Sequence, residues 1–126
     1  MTKLIEATIR VRDLERSRHF YQLLGAPCGD VGADRPGESK HVHATWGKWS
    51  AHSDDFLMLN ILPTTDGVSM PVEIGFSVED LDKVHGALVT AGVDVIRSPE
   101  AQPWGRMATY RDPDGNTVSL TQLPRE

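Results

Sequence analysis

A single cysteine, Cys28, stands among 126 residues. That excludes an internal disulfide framework and a cysteine-based zinc cluster. No apolar run approaches the roughly 18–20 residues a membrane-spanning helix needs, and the first residues lack the charged-then-apolar pattern of a secretion signal. The expectation is a cytoplasmic protein with no membrane partner. Lys and Arg total 13 against 18 Asp and Glu, a net charge of −5. With no basic cluster, nucleic acid is not an expected partner. Gly29, Gly32 and Gly37 are not followed by Gly-Lys-Ser/Thr, so no phosphate loop is present. Aromatics are scarce, at 6% of the chain, yet three of them are tryptophan: Trp46, Trp49 and Trp104.

What is present is ordinary globular composition, 39% apolar and 25% charged. The length suits one domain, residues 1–126. The chain also repeats itself. Val11-Arg12-Asp13-Leu14 is echoed by Val78-Glu79-Asp80-Leu81, and the same offset pairs Glu6 with Glu73 and Gly25 with Gly92. A second echo matches Leu57–Pro63 with Val118–Pro124, at an offset of 61. Two related modules follow, about 1–63 and about 71–126.

Each module opens with strand alternation. Ile5, Ala7, Ile9 and Val11 oppose Glu6, Thr8 and Arg10; Val72, Ile74, Phe76 and Val78 oppose Glu73, Gly75 and Ser77. Asp13 and Asp80 then stand where helix N-caps belong. Leu14, Phe20, Tyr21 and Leu24 fit one helix that stops at Gly25, and Leu81, Val84, Leu88 and Ala91 fit another that stops at Gly92. Further strands are expected near 28–31, 41–49, 56–62, 93–96, 106–111 and 117–123. Asp112-Pro113-Asp114-Gly115-Asn116 reads as a tight turn between the last two. Each module is thus strand, helix, then three strands, an α+β chain.

These same residues carry a family resemblance. The strand running into Val11-Arg12-Asp13-Leu14-Glu15-Arg16-Ser17, then Phe20-Tyr21 and Leu24-Gly25, resembles the opening of the vicinal-oxygen-chelate superfamily. Val78-Glu79-Asp80-Leu81 and Asp112-Pro113-Asp114-Gly115-Asn116 continue the match. That group holds glyoxalase I, extradiol dioxygenases, fosfomycin-resistance enzymes and bleomycin-resistance proteins. The resemblance implies two paired βαβββ modules forming a curled mixed sheet around a ligand cup, in a homodimer.

It also implies four metal-ligand positions, on the first and last strand of each module, which fall here on Glu6, Met58, Glu73 and Ser119. The family's usual set at those places is His, Gln or Glu, then Glu or another polar ligand, then His, then Glu. Three positions depart from it. Met58 is a thioether, a poor partner for a hard cation, and Ser119 is a neutral hydroxyl. Glu73 replaces a His, so the two-His-one-carboxylate set of iron oxygenases is missing. An extradiol dioxygenase or a standard glyoxalase I is not expected. If the modules pack about a pseudo-twofold, Glu6 and Glu73 approach across the cup. The two carboxylates suit a polar cup for a cationic ligand, a divalent cation with waters, or an acid–base pair.

Bleomycin-resistance proteins bind their drug in an acidic, aromatic-lined groove without chemistry, and this chain is similar in its acidity and spare tryptophans. The leading reading is therefore binding of a small molecule, cationic or planar, a drug or natural product, with no cofactor. Glu6 and Glu73 supply charge, Trp46, Trp49 and Trp104 stacking area, and Thr8, Asn60, Arg106, Met58 and Ser119 the remaining contacts. The alternative is an isomerase or lyase using Glu6 and Glu73 as ligands of a divalent cation or as acid and base. A third class is a partner-binding module with a vestigial cup. His41 and His43 share a strand face and, with His52, are weighed as a metal site against exposed histidines beside a loop; the second reading is preferred. His19 and His85 read as surface residues, and Cys28 as a small buried residue.

Overall fold

The computed structural model describes residues 4–33, 36–48, 55–64 and 71–124. They fall into two compact units, residues 1–22 with 26–70 and residues 23–25 with 71–126. The first holds β1 (Glu6–Val11), α1 (Leu14–Leu23), β2 (Val42–Trp46) and β3 (Leu57–Pro63). The second holds β4 (Glu73–Ser77), α2 (Leu81–Thr90), β5 (Val95–Gln102), β6 (Gly105–Arg111) and β7 (Thr117–Gln122). The architecture is α+β, with one mixed sheet in each unit.

The helices begin where the aspartates predict. Asp13 Oδ1 accepts the Arg16 N–H at 3.1 Å, and Asp80 Oδ1 accepts the Lys83 N–H at 3.1 Å. Each side chain satisfies one of the donors a first turn leaves orphaned. Both helices stop ahead of a glycine at positive φ, 97° at Gly25 and 78° at Gly92, the left-handed turn that ends a helix without a Cβ penalty.

The two sheets share a plan. In the second unit the order is β4-β7-β6-β5, with β4 parallel to β7. In the first it is β1-β3-β2, with β1 parallel to β3. The expected strand at 28–31 shrinks to two isolated bridges, Cys28 to Ala44 and Gly32 to His41. Two glycines and a preceding Pro27 leave that segment too little side chain to pair continuously. Conversely, the strand expected at 93–96 runs on to Gln102. It is an edge strand with register shifts after Val95 and Arg97, a position where Pro99 is tolerated because no ladder donor is needed.

Each sheet has one buried and one open face. In the first unit Ile9, Val11, Val42, Ala44, Leu59 and Ile61 form the buried side. In the second, Ala108, Tyr110, Val118 and Leu120 face α2, whose Leu81 and Leu88 are fully buried. Gln122 Oε1 accepts the Leu81 N–H at 2.8 Å and so ties β7 to the first turn of α2. His85 departs from the surface expectation: it is half-buried, and a hydrogen bond of 2.8 Å joins its Nδ1 to the Tyr110 hydroxyl.

Burial pushes the Tyr110 phenol up from 10.0 to about 12. A phenol is charged only when deprotonated, and a low-dielectric site disfavours that form. Its folded pKa therefore lies above the unfolded one. The stability it contributes is complete below about pH 10 and is lost as pH rises through about 12. Urea unfolding of wild type and Tyr110→Phe across that window is expected to show their stability gap narrowing as pH rises. A gap that does not change with pH would show that ionisation of Tyr110 is not linked to unfolding.

Candidate functional site

The open faces carry most of the residues singled out from the sequence. In the first unit β1 contributes Glu6, Thr8 and Arg10, all exposed. The ladder sets Glu6 beside Met58 and Thr8 beside Asn60. On the far side of β3, Thr45 lies beside Met58 and His43 beside Asn60. Two cross-strand rows result, Glu6–Met58–Thr45 and Thr8–Asn60–His43. Asn60 is buried, and its Nδ2 donates to Thr8 Oγ1 at 3.4 Å, so the amide is oriented by the hydroxyl of the neighbouring strand.

In the second unit the matching rows are Glu73–Thr117–Arg111, Gly75–Ser119–Thr109 and Ser77–Thr121–Met107. Glu73 and Ser119 share this face but not a row. The residue opposite Glu73 is Thr117, and Ser119 lies opposite Gly75, two residues or about 6.6 Å further along the strand. Register thus equates Met58 with Thr117, an offset of 59, where the echo in the sequence suggests 61. Register is a cross-strand property, and similarity along the chain does not report it.

Two expected contacts lie on the opposite faces. Trp46 shares the parity of Val42 and Ala44 and pairs with Leu57, so it stands half-buried on the apolar side of its sheet. Arg106 shares the parity of Ala108 and Tyr110 and reaches α2, donating from Nη1 to Asp82 Oδ2 at 2.9 Å and from Nη2 to Asp82 Oδ1 at 3.0 Å. The hydrogen-bonded guanidinium holds the Asp82 carboxyl below its usual range, and the carboxylate raises Arg106 in turn. This two-pronged pair pins β6 to the first turn of the helix. Trp104 is different: it is 52% exposed, in the two-residue turn between β5 and β6. Trp49 and His52 lie outside the described residues.

One feature of the first unit is absent from the expected site. His41 is buried, contrary to the expectation of exposed histidines, and its Nδ1 lies 3.0 Å from the Ser39 carbonyl. The His41 and His43 rings stack at 4.5 Å between centroids, 27° apart in plane. They line a cavity of about 210 Å³ with Gly29, Asp30, Gly32 and Ala33. The signal in the sequence is the spacing of two between the histidines; what it lacks is the bridged segment that lines the cavity with them. Cys28, at one of those bridges, is half-buried, and burial pushes its thiol up, so it is a weak nucleophile. Among the described residues, no three His, Cys, Asp or Glu side chains are grouped to hold a metal ion. None of the described helices is long and apolar enough to cross a membrane.

Comparison with known proteins agrees with this geometry. No curated relative matches the chain. Among solved structures it is similar to TnmS3, an antibiotic binding protein from Streptomyces sp. CB03234, at 25% identity and a TM-score of 0.70, with 98% of each chain covered. It is similar to a glyoxalase/bleomycin resistance protein from the same Streptomyces at 26% identity and a TM-score of 0.63, with 95% of this chain and 100% of that one covered. A Sphaerobacter thermophilus DSM 20745 member of the superfamily matches at 25% identity and a TM-score of 0.69, over 97% of this chain and 98% of that one. The family profile itself matches residues 3–120. With two mixed sheets, two capped helices and a match over nearly its whole length, the chain belongs to the glyoxalase/bleomycin resistance protein/dioxygenase superfamily.

Proposed function

We propose that the chain binds a small molecule, a drug or natural product that is cationic or planar, on the open polar faces that carry Glu6 and Glu73, without converting it. The observation that carries this reading is the make-up of those faces. Each presents one exposed carboxylate beside a group with little affinity for a hard cation, the Met58 thioether next to Glu6 and the Thr117 hydroxyl next to Glu73. Carboxylates in that setting attract a cationic ligand. Thr8, Asn60 and Ser119 offer hydroxyls and an amide for hydrogen bonding, and exposed Trp104 offers a face for stacking. The antibiotic-binding character of TnmS3 supports the same reading.

The test is a tryptophan-fluorescence titration against a panel of planar cationic antibiotics. Saturable quenching by at least one is expected, with Glu6→Gln and Glu73→Gln each weakening it about tenfold, or about 1.4 kcal/mol. No quenching across the panel, or full affinity in both variants, would overturn the reading. Stoichiometric Mg²⁺ or Mn²⁺ binding that both substitutions abolish would favour the isomerase or lyase alternative instead.

A further inference from the structure

We infer that the His41–His43 cavity is an aromatic subsite, taking a planar ring that bears a neutral or cationic hydrogen-bond donor, such as a phenol or an aryl amine. The inference rests on the small-molecule reading above and names the part of the ligand that enters the first unit.

The cavity is built rather than incidental. The segment forming its far wall is zipped to β2: the Gly29 N–H donates to the His43 carbonyl at 2.9 Å, the Gly32 N–H to the His41 carbonyl at 3.1 Å, and the His41 N–H to the Gly32 carbonyl at 2.7 Å. Arg18 of α1 clamps it from outside, donating from Nε to the Gly29 carbonyl at 2.7 Å and from Nη2 to Asp30 Oδ1 at 3.1 Å. The Gly29 and Gly32 N–H groups are therefore spent on holding the wall in place. What the lining offers a ligand is side-chain chemistry: the His43 ring, backed by His41, and Asp30 Oδ2, the oxygen that Arg18 does not hold.

Size, shape and charge then select the occupant. A cavity of roughly 150 Å³ admits benzene, whereas drug-sized pockets run to roughly 300–1,000 Å³. At about 210 Å³ this one holds a ring of a larger ligand and not the whole of it. His41 is buried and oriented through Nδ1 at the Ser39 carbonyl, with Glu38 Oε1 at 3.7 Å. It backs His43, which is half-buried and carries the stack to the cavity. A flat imidazole held from behind is a surface for another flat ring. Asp30 Oδ2 accepts hydrogen bonds, and a phenol or amine has a donor to offer it where a carboxylate has none. The cavity also continues the polar row, since His43 is the cross-strand partner of Asn60, which Thr8 holds.

The probes are 2-naphthol, 1-naphthylamine and 2-naphthoate, followed by histidine ring proton–carbon NMR spectra of the intact chain. Naphthol and naphthylamine are expected to shift the His41 and His43 signals saturably, with naphthoate at least tenfold weaker. His43→Ala is expected to weaken naphthol at least tenfold. His43→Phe, which keeps a flat ring at that place, is expected to stay within about threefold of wild type; a loss as large as that in His43→Ala would overturn the stacking role of the ring. Naphthol shifts that leave out His41 and His43, equal binding of naphthoate, or full affinity in His43→Ala would each overturn the subsite. If the cationic antibiotics bind through Glu6 and Glu73 while naphthol leaves these histidines unmoved, the subsite fails and the broader function stands. If neither antibiotic nor naphthol binds, both fail.

Discussion

Asn116→Ala is expected to lower the unfolding free energy by about 3 kcal/mol, measured by urea denaturation at neutral pH. Asn116 is 1% exposed and works in two directions. Its Nδ2 donates to Asp112 Oδ2 at 2.7 Å, and its Oδ1 accepts the Val72 N–H at 2.8 Å. Asp112 Oδ1 in turn accepts the backbone N–H groups of Asp114 and Asn116, at 2.9 and 2.8 Å. The side chain thus closes the β6–β7 turn and fastens it to the residue that leads into β4. Truncation removes the partner of the part-buried Val72 N–H and one of the donors to the buried Asp112 carboxylate. A lost bond to a charged group costs about 1.5–3 kcal/mol and an orphaned neutral donor about 1–3 kcal/mol, and partial solvation of the Val72 N–H holds the total near the low end of their sum. A loss below about 1 kcal/mol would mean that water replaces the amide, and the assignment of Asn116 as the clasp between β4 and the turn would be wrong.

Gly105→Ala is the second large effect, about 3 kcal/mol in the same assay. Gly105 sits at φ 140°, and a Cβ there would land on the Gln122 carbonyl across the β6–β7 ladder. Two penalties combine: a backbone region open in practice only to glycine, and an overlap with main chain that no rotamer change relieves. Gln122 cannot retreat freely, since its side chain accepts the Leu81 N–H. Displacing it loosens the first turn of α2 as well. Faster hydrogen exchange at Leu81 in the variant is the accompanying signature. Unchanged stability together with an unchanged Leu81 exchange rate would show that the hairpin shifts without cost. The same substitution moves Trp104, which directly precedes the glycine, so its fluorescence reports whether the turn has changed shape.

Much of the fold is legible in the amino-acid sequence, and the readable features share a physical cause. The N-caps at Asp13 and Asp80, the glycine stops at Gly25 and Gly92, and the clasp at Asp112–Asn116 depend on hydrogen bonds a few residues apart. Such signals are written into adjacent letters. The strand β5 reads too short in the sequence, because Pro99 signals a strand end unless the strand lies at a sheet edge. His85 reads as a surface residue because nothing near it in the chain announces Tyr110, 25 residues away.

By itself, the sequence determined a scarcity of cysteine and basic charge, an internal repeat, the order of the elements except for the strand expected at 28–31, and the alternation that puts Glu6 and Glu73 on polar strand faces. All of these follow from local periodicity, capping and repetition. Only the tertiary structure decided which side chains share a face across strands. It paired Glu6 with Met58 but Glu73 with Thr117, turned Trp46 and Arg106 to the apolar sides, and bridged a glycine-containing segment to the stretch that carries His41 and His43. Register and face are set by hydrogen bonds between residues tens of positions apart. A shift of one residue exchanges the two faces, so the composition of any one strand leaves them undetermined.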